Sequence, residues 1–399
     1  MGNLFRRMKL SEIGQIVAGG TPKTKIEEYW NGDVPWITPK DLSSHAGMYI
    51  SRGERNISQV GLDNSSAKLL PKGTVLFTSR APIGYVAIAR NEVTTNQGFK
   101  SIIVDDENDN IFIYYLLKNN IDIIENHANG STFKEISGSV MKSLEFGIPS
   151  LREQKAIAHI LSTLDDKIEV NNQINKTLEN MAQAIFKQWF VDFEFPNENG
   201  EPYKSSGGEM VESELGTIPK GWEVSKFIDL IEITSGKRPG KRSDLAMEDC
   251  KYSLVGASSI MGYTDDFNFE EKILVIGRVG THGVVQRLNN KVWASDNTLV
   301  IKSDKYEFTY QILNQIDYKA INRGSTQPLI TQTDIKNHTL IIPTESHLNK
   351  FELLVGSLFG IHSNHCLENS KLTEIRDSLL SKLMSGEIRV PLDQDGYAS

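Results

Sequence analysis

Residues Leu151 to Phe190 run without a glycine or proline and carry apolar residues at helical spacing. A helix of about forty residues extends roughly 60 Å, which is longer than a small domain is wide. It therefore needs an equally long partner. Shifted by 194 positions, the run falls on Glu345 to Met384, the other long helical stretch of the chain. The agreement begins ahead of the helices: Gly130-Ser131-Thr132 falls on Gly324-Ser325-Thr326, Ile136 on Ile330, Met141 on Ile335 and Ile148-Pro149 on Ile342-Pro343. It continues inside them, with Leu164 on Leu358, Asn175 on Asn369, Leu178 on Leu372 and Ile185-Phe186 on Leu379-Leu380. A constant offset across so long a stretch is the mark of a duplication. The chain reads as one module used twice.

The order of elements within 1–150 recurs in shorter form within 221–343. The Gly19-Gly20-Thr21-Pro22 turn with Lys23 and Lys25 predicts a loop leading into a strand near Val34–Thr38, and the run Ser235 to Arg242, SGKRPGKR, stands at the same place in the second module. GTVLFTSRAPIGYVAIA predicts two strands joined at Ser79-Arg80-Ala81-Pro82; its counterpart KILVIGRVGTHGVVQRL sets Arg278 on Arg80. In the next strands, TTNQGFKSI and ASDNTLVIK set Asn96-Gln97 against Asp296-Asn297. Asp109–Asn120 predicts a helix, Ser137–Val140 a helical turn and Leu144–Ile148 a strand. Residues 191–222, rich in Pro, Gly, Ser and Glu, predict a linker with an acidic bias. The expected organisation is a mixed α+β chain: a β-rich module at 1–150, a central helix at 151–190, a linker at 191–220, a second module at 221–343, a C-terminal helix at 344–390 and a tail at 391–399.

With 399 residues, 39% hydrophobic and 24% charged, the composition is that of an ordinary globular protein. No apolar run of about 18 residues could span a bilayer, and the N-terminal stretch MGNLFRRMKLSEIGQ lacks a signal-peptide core. A cytoplasmic protein is the expectation. Cys250 and Cys366 fit neither a metal-ligand spacing nor a disulfide framework and are read as reduced thiols. The net charge of −8 argues at first against nucleic acid, since DNA binding rests on neutralised phosphates. Its distribution alters the argument. Residues 1–150 hold 16 Lys and Arg against 16 Asp and Glu, and residues 221–343 hold 15 against 15, whereas 151–220 and 344–399 hold 7 against 12 and 5 against 8. Two neutral modules can each present a basic face, while the helical stretches and their flanks repel phosphate.

The helices carry a pairing seam. In the first, Leu161, Leu164 and Ile168 are followed by a polar interruption at Asn171 and Asn175, then by Leu178, Met181 and Ile185. In the second, Val355 and Leu358 precede His362, His365 and Asn369, and Leu372, Ile375 and Leu379 resume the pattern. A polar seam position fixes register at some expense in stability, and Asn175 and Asn369 correspond to each other in the repeat. The obvious partner for each helix is the other.

Enzyme chemistry is not evident. Gly277, Gly280 and Gly283 lack the GxxxxGK[ST] of a phosphate-cradling loop, and the histidines form no metal-binding pair. There is no Asn/Asp-Pro-Pro-aromatic motif of an amino-methyltransferase and no nuclease carboxylate cluster, so no catalytic and no metal-ligating residues are assigned. Recognition chemistry is better represented. Thr21, Lys23, Lys25 and Lys40 in the first module, and Lys237, Arg238, Lys241 and Arg242 in the second, are polar and cationic residues in or beside flexible loops, suited to phosphate or a base edge. Arg80 and Arg278 stand between strands in both modules. Asn96, Gln97 and Asn297 can read bases or cap turns, and Lys134, Arg323 and Gln327, with Thr132, flank the Gly-Ser-Thr turns. The plain alternatives are solvated loops, structural ion pairs and turn caps.

Taken together, GGTPKTKIEEYWNGDVPWITPKDL, TSRAPIG, the Gly-Ser-Thr turn, IPSLREQKAIAHILSTLDDKIEVNNQINKTLE and PYKSSGGEMVESELGTIPKGWEV resemble the specificity subunit of type I restriction-modification systems, across essentially the whole chain. The start of the second helix, ESHLNKFELLVG, departs from the Leu-x-Glu-Gln-x-x-Ile of the first. The resemblance implies two β-rich target recognition domains joined by two long antiparallel coiled-coil helices with a pseudo-two-fold. Each domain would read one half of a bipartite double-stranded DNA target. The helices would set the gap and dock two methyltransferase subunits that hold S-adenosylmethionine and methylate adenine at N6; two restriction subunits using ATP and Mg2+ would complete an endonuclease for phage defence. This chain would bind no cofactor itself. Two further readings stay open on the sequence: a stand-alone bipartite DNA-binding regulator, and a coiled-coil scaffold that binds no DNA.

Overall fold

The computed structural model describes residues 5–45, 47–128, 134–324 and 327–391. The chain divides into two compact units: unit 1 is Met1–Gln173 with His365–Ser399, and unit 2 is Ile174–Asn364. Each unit thus takes one globular module and parts of both long helices, Leu151–Phe186 and Glu345–Ser385.

In unit 1 a five-stranded sheet has the spatial order Gly14–Ala18, Lys100–Val104, Val75–Ser79, Ile83–Ala89 and Tyr49–Ile50, antiparallel except for the last pair. Val75–Ser79 is buried throughout because both of its faces are covered. Side chains alternate along a strand, so Val75 and Phe77 meet the helix Asn110–Asn119 and the long helices, while Leu76 packs with Ile37, Leu42 and Phe99 on the other side. The Asn110–Asn119 helix starts where Asp109 accepts the Phe112 amide N–H at 2.8 Å, a side-chain cap for one of its orphan donors. A smaller sheet, Arg55–Ile57, Trp30–Ile37 and Thr94–Thr95, carries the loops on the far side.

Unit 2 repeats the plan. Its four-stranded sheet runs Glu232–Ser235, Thr298–Lys302, Ile273–Gly277 and Val285–Leu288, with Ile260–Thr264, Tyr252–Val255 and Val292–Ala294 as the smaller sheet. Leu274 and Ile276 face the helical core, while Ile273 and Val275 face a second cluster. The helix Tyr306–Gln315 has no side-chain cap of its own. Glu352 of the C-terminal helix accepts the Glu307 and Phe308 amides at 3.0 and 2.8 Å instead. Burial raises the Glu352 carboxyl above its ordinary range, and those two N–H donors oppose the shift.

The ends of the long helices complete both cores. Ile157, Leu161, Leu380 and Leu383 belong to the main core of unit 1, and Ala182, Phe186, Leu348, Phe351 and Val355 to that of unit 2. Within unit 1 the helices run antiparallel: Arg376 meets Asp165 at 2.6 Å, while further along the central helix Asn171 donates to Asn369 and to Glu368, each at 2.8 Å. Asn369 in turn donates to Asn172 at 2.9 Å. Within unit 2 the sense is the same, with His362 3.3 Å from Glu179 and the Phe186 ring against Phe351.

Of the expected seam, Leu161, Asn175, Leu178 and Val355 are buried, and Leu164, Ile168, Ile185, Leu358, Asn369, Leu372 and Leu379 are half-buried. Met181 and Ile375 differ, being 45% and 50% exposed. Ala182, fully buried, and Arg376, paired with Asp165, stand toward the neighbouring helix in their place. A 3.6-residue helix drifts from a strict heptad, and an apolar pattern cannot anticipate an ion pair at such a position.

Residues 191–220 also differ from the expected linker. They fold onto unit 2, with a hairpin of Met210–Ser213 and Gly216–Pro219 and with Phe195, 1% exposed, stacked between Tyr203 at 4.5 Å and Trp222 at 4.9 Å. Aromatics placed singly among Pro and Gly show no period, yet each buried ring contributes about 1.5–3 kcal/mol. Phe195 also lies 4.3 Å from the His347 ring at the start of the C-terminal helix. Its counterpart 194 positions on is Arg389, which forks onto Glu153 at 2.6 and 2.7 Å at the start of the central helix. Each helix start is therefore clasped by the segment that follows the other helix, once by stacked rings and once by an ion pair.

Replacing Asn171 and Asn369 together by leucine exchanges a polar seam pair for an apolar one. The thermal unfolding midpoint should rise by about 2–4 °C; a fall measured by calorimetry would show that the amides stabilise the pairing.

Candidate nucleic-acid interface

The loops that hold most of the candidate residues are fastened in the same way in both units. In unit 1 the Gly19 and Gly20 amides donate to the carbonyls of Phe99 and Thr95 at 3.4 and 2.8 Å; in unit 2 Gly236 and Lys237 donate to Thr298 and Ala294 at 3.1 and 2.9 Å. A Cβ at Gly19 would come within 2.0 Å of the Asn96 carbonyl oxygen, and one at Gly236 within 2.1 Å of that of Ser295. Only glycine allows the strand to approach so closely. An indole N–H then holds the next carbonyl: Trp36 donates to Gly20 at 3.0 Å, and Trp293 to Lys237 at 2.7 Å. The two tryptophans come from opposite members of the same strand pair, since Trp36 faces Thr94 while Leu254 faces Trp293.

These hydrogen bonds fix which residues are equivalent. Ser79 N donates to Gly98 O at 2.7 Å and Arg278 N to Asn297 O at 2.8 Å; the Ile136 and Ile330 amides return to the Ser79 and Arg278 carbonyls, both at 2.9 Å. Strand pairing agrees, with Val75 opposite Ile102 and Leu274 opposite Ile301. Arg278 therefore corresponds to Ser79 rather than to Arg80, and Asp296-Asn297 to Gln97-Gly98 rather than to Asn96-Gln97. A slip of one residue in a strand exchanges its two faces.

The cations fall into two groups. Lys23, Lys25, Lys237 and Arg238 are exposed, and Arg278 is half-exposed; among the described residues their side chains pair with no carboxylate. The others are tethered. Lys40 holds Glu54 at 2.8 Å, Arg80 lies 3.4 Å from Glu135, Lys134 3.5 Å from Glu125, and Arg242 3.3 Å from Asp244; Lys241 binds Asp249. Hydrogen bonds to their carboxylates raise the Lys40 and Lys241 ammonium groups above the ordinary lysine range. Arg323 donates to Asp334 through Nε at 2.8 Å. Burial alone would raise the Asp334 carboxyl, but hydrogen bonds from Thr331 and Arg323 leave it below its usual range. The exposed pairs of Lys40, Lys134, Lys241 and Arg242 are worth little in stability.

Among the neutral candidates, Asn96 caps its own turn by accepting the Gly98 amide at 2.8 Å, and Thr21 donates to the Gln97 side chain. A Cβ at Gly98 would meet the Asn96 side chain at 3.0 Å, Pro39 at 3.2 Å and Arg80 at 3.7 Å. Thr21, Asn96, Gln97, Arg80 and the short helix bearing Lys40 thus gather at one end of unit 1. Asn297 and Gln327 are exposed in unit 2. Gly130-Ser131-Thr132 and Ser325-Thr326 lie outside the described residues. Sequence reasoning missed Glu135, Lys100 and Arg55, whose guanidinium lies 3.7 Å over the Trp30 ring. None stands at a repeated position that could have marked it.

The sequence matches the family described as the type I restriction modification DNA specificity domain twice, over residues 4–180 and 219–347. It is 38% identical to the type I restriction enzyme MjaIX specificity subunit of Methanocaldococcus jannaschii over 411 residues, covering 96% of this chain and 93% of that one. It is 27% identical to the HindI specificity subunit of Haemophilus influenzae, over 82% and 89% of the two chains. The fold resembles the crystal structure of a type I restriction-modification S subunit from M. genitalium, with a TM-score of 0.63 at 18% identity and coverage of 96% and 97%.

Alanine at Gly19 or Gly236 should free the loop it anchors. Amide exchange at Gly20 or Lys237 is expected to accelerate about tenfold or more; unchanged protection would show that the close approach does not hold the loop.

Proposed function

The chain belongs to the type I restriction modification DNA specificity family, and from that premise we propose how it selects its target. It is the specificity subunit. Each module reads one half of a bipartite double-stranded DNA sequence. The observation that carries this reading is the repeated glycine loop: one backbone fastening, in both units, presents cations unpaired among the described residues, Lys23 and Lys25 in one and Lys237 and Arg238 in the other. Phosphate contacts from such loops would set position, and side chains beside them would read base edges. The loops share a scaffold and differ in sequence, which suits two unequal half-sites.

The long helices set the gap between half-sites and dock two methyltransferase subunits. Each holds four Lys and Arg against five Asp and Glu, so neither offers DNA a surplus of positive charge along its length. Their exposed leucines favour protein there: Leu353 in unit 2 is 78% exposed and Leu367 in unit 1 is 64% exposed. In this reading S-adenosylmethionine is held by the methyltransferase subunits that modify adenine, and ATP and Mg2+ by two restriction subunits. This chain supplies sequence choice and geometry, in the cytoplasm.

Inserting four residues into each helix, after Gln173 and after Asn364, should lengthen the spacer by roughly 6 Å, close to two base pairs at about 3.4 Å each. Mapping methylated adenines in cells that carry the variant with its partner subunits should show both half-sites intact and a wider gap; an unchanged gap would contradict the spacer role.

A further inference from the structure

The Glu135 carboxylate of unit 1 is shared between two cations of different kinds. One oxygen lies 3.4 Å from Arg80 Nη1 and the other 3.6 Å from Lys100 Nζ. Lys100 is buried and also donates to the Ser79 hydroxyl at 3.4 Å. Arg80 is half-exposed and uses one nitrogen on Glu135, so its remaining N–H donors border a cleft lined by Pro82, Ile83 and the Glu125–Lys134 pair. Unit 2 differs at these positions: Val279, Leu299 and Leu329 stand in place of Arg80, Lys100 and Glu135, and Val279 bridges Leu329 as Arg80 bridges Glu135.

We propose that Arg80 reads a guanine edge in the half-site of unit 1 alone, with Glu135 as its positioning residue and Lys100 as the carboxylate's permanent partner. The inference rests on the target-selection reading above. Charge alone would admit a phosphate, since Arg80, Lys100 and Lys134 face only Glu135 and Glu125. A guanine edge instead offers two acceptors to the planar fork of an arginine, the commonest specific contact in the major groove, and the apolar floor of Pro82 and Ile83 suits a base better than a phosphate. Releasing Arg80 from a half-exposed pair is cheap. Because the buried lysine keeps hold of Glu135, no carboxylate is left unpaired when the guanidinium turns to DNA.

The test maps methylated adenines in cells free of other adenine methylation, expressing the full chain with its methyltransferase partners, as wild type and as R80K, R80Q and E135D. Lysine keeps the charge without the fork, glutamine removes the charge, and aspartate withdraws the carboxylate while leaving Lys100 balanced. R80K and R80Q should relax one G·C position in one half-site, lowering discrimination there by about 5- to 150-fold. E135D should relax the same position more weakly, and the other half-site should not change. A motif unaltered by R80K and R80Q, whatever the uniform loss of methylation up to complete loss, would assign Arg80 to the backbone or to the fold and overturn the inference, as would a change in both halves. An E135D motif equal to wild type would remove the positioning role. A wild-type chain that yields no bipartite motif would fail the target-selection reading itself, and this inference with it.

Discussion

The main core of each module closes only with the long helices, beside smaller clusters that the sheets bury on their other faces. In unit 1, Ile157 and Leu161 from the start of the central helix and Leu380 and Leu383 from the end of the C-terminal helix share one apolar cluster with Val75, Phe77 and Phe112. In unit 2 the exchanged ends, Phe186 with Phe351 and Val355, close over Phe308 and Ile276. A helix of about forty residues that enters one core at its start and another at its end cannot shift along its axis without opening both. The clasps reinforce this constraint. Glu153, buried at the start of the central helix, is neutralised by Arg389, and His347 at the start of the C-terminal helix is covered by Phe195. Each helix is thus gripped at both of its ends.

The middle of the spacer is polar where its ends are apolar. Asn171 is fully buried and bonded to Asn369 and Glu368, and Asp165 is shared by Arg376 and the Tyr115 hydroxyl. Burial, then the Asp165 charge and its hydrogen bond, raises the Tyr115 hydroxyl well above the ordinary tyrosine range, so it remains a proton donor to that carboxylate at physiological pH. Directional bonds between specific amides and carboxylates resist a slide of one turn, as the packed ends do. The ends supply most of the stability, and the middle adds a second lock on register.

The parts legible in the sequence were those with a period or a repeat. Forty residues at helical spacing, an offset of 194 positions and a glycine turn met twice were enough to show the duplicated modules and their helices. What escaped depends on contacts that leave no local mark. The strand register differs by one residue from the alignment of arginines, because arginine is free to occur on either face at a strand end, whereas the backbone pattern admits one solution. The tryptophan that holds the glycine loop has changed strand between the modules while keeping its hydrogen bond, which no positional comparison can detect. Phe195, Tyr203 and Trp222 lie in a segment that reads as a linker, and Arg376 meets the neighbouring helix where the apolar pattern assigns that place to Ile375.

The two modules thus share a backbone and differ in chemistry at matching points: a buried serine against a half-exposed arginine at Ser79 and Arg278, and a charged trio against three aliphatic residues at Arg80, Lys100 and Glu135. Such differences on a common scaffold suit two readers of different sequence. The most direct test is the methylated-adenine map of the unaltered chain expressed with its partner subunits. A single motif of two different half-sites separated by a fixed number of unspecified base pairs is the predicted result; one continuous motif, or half-sites at variable separation, would contradict the account.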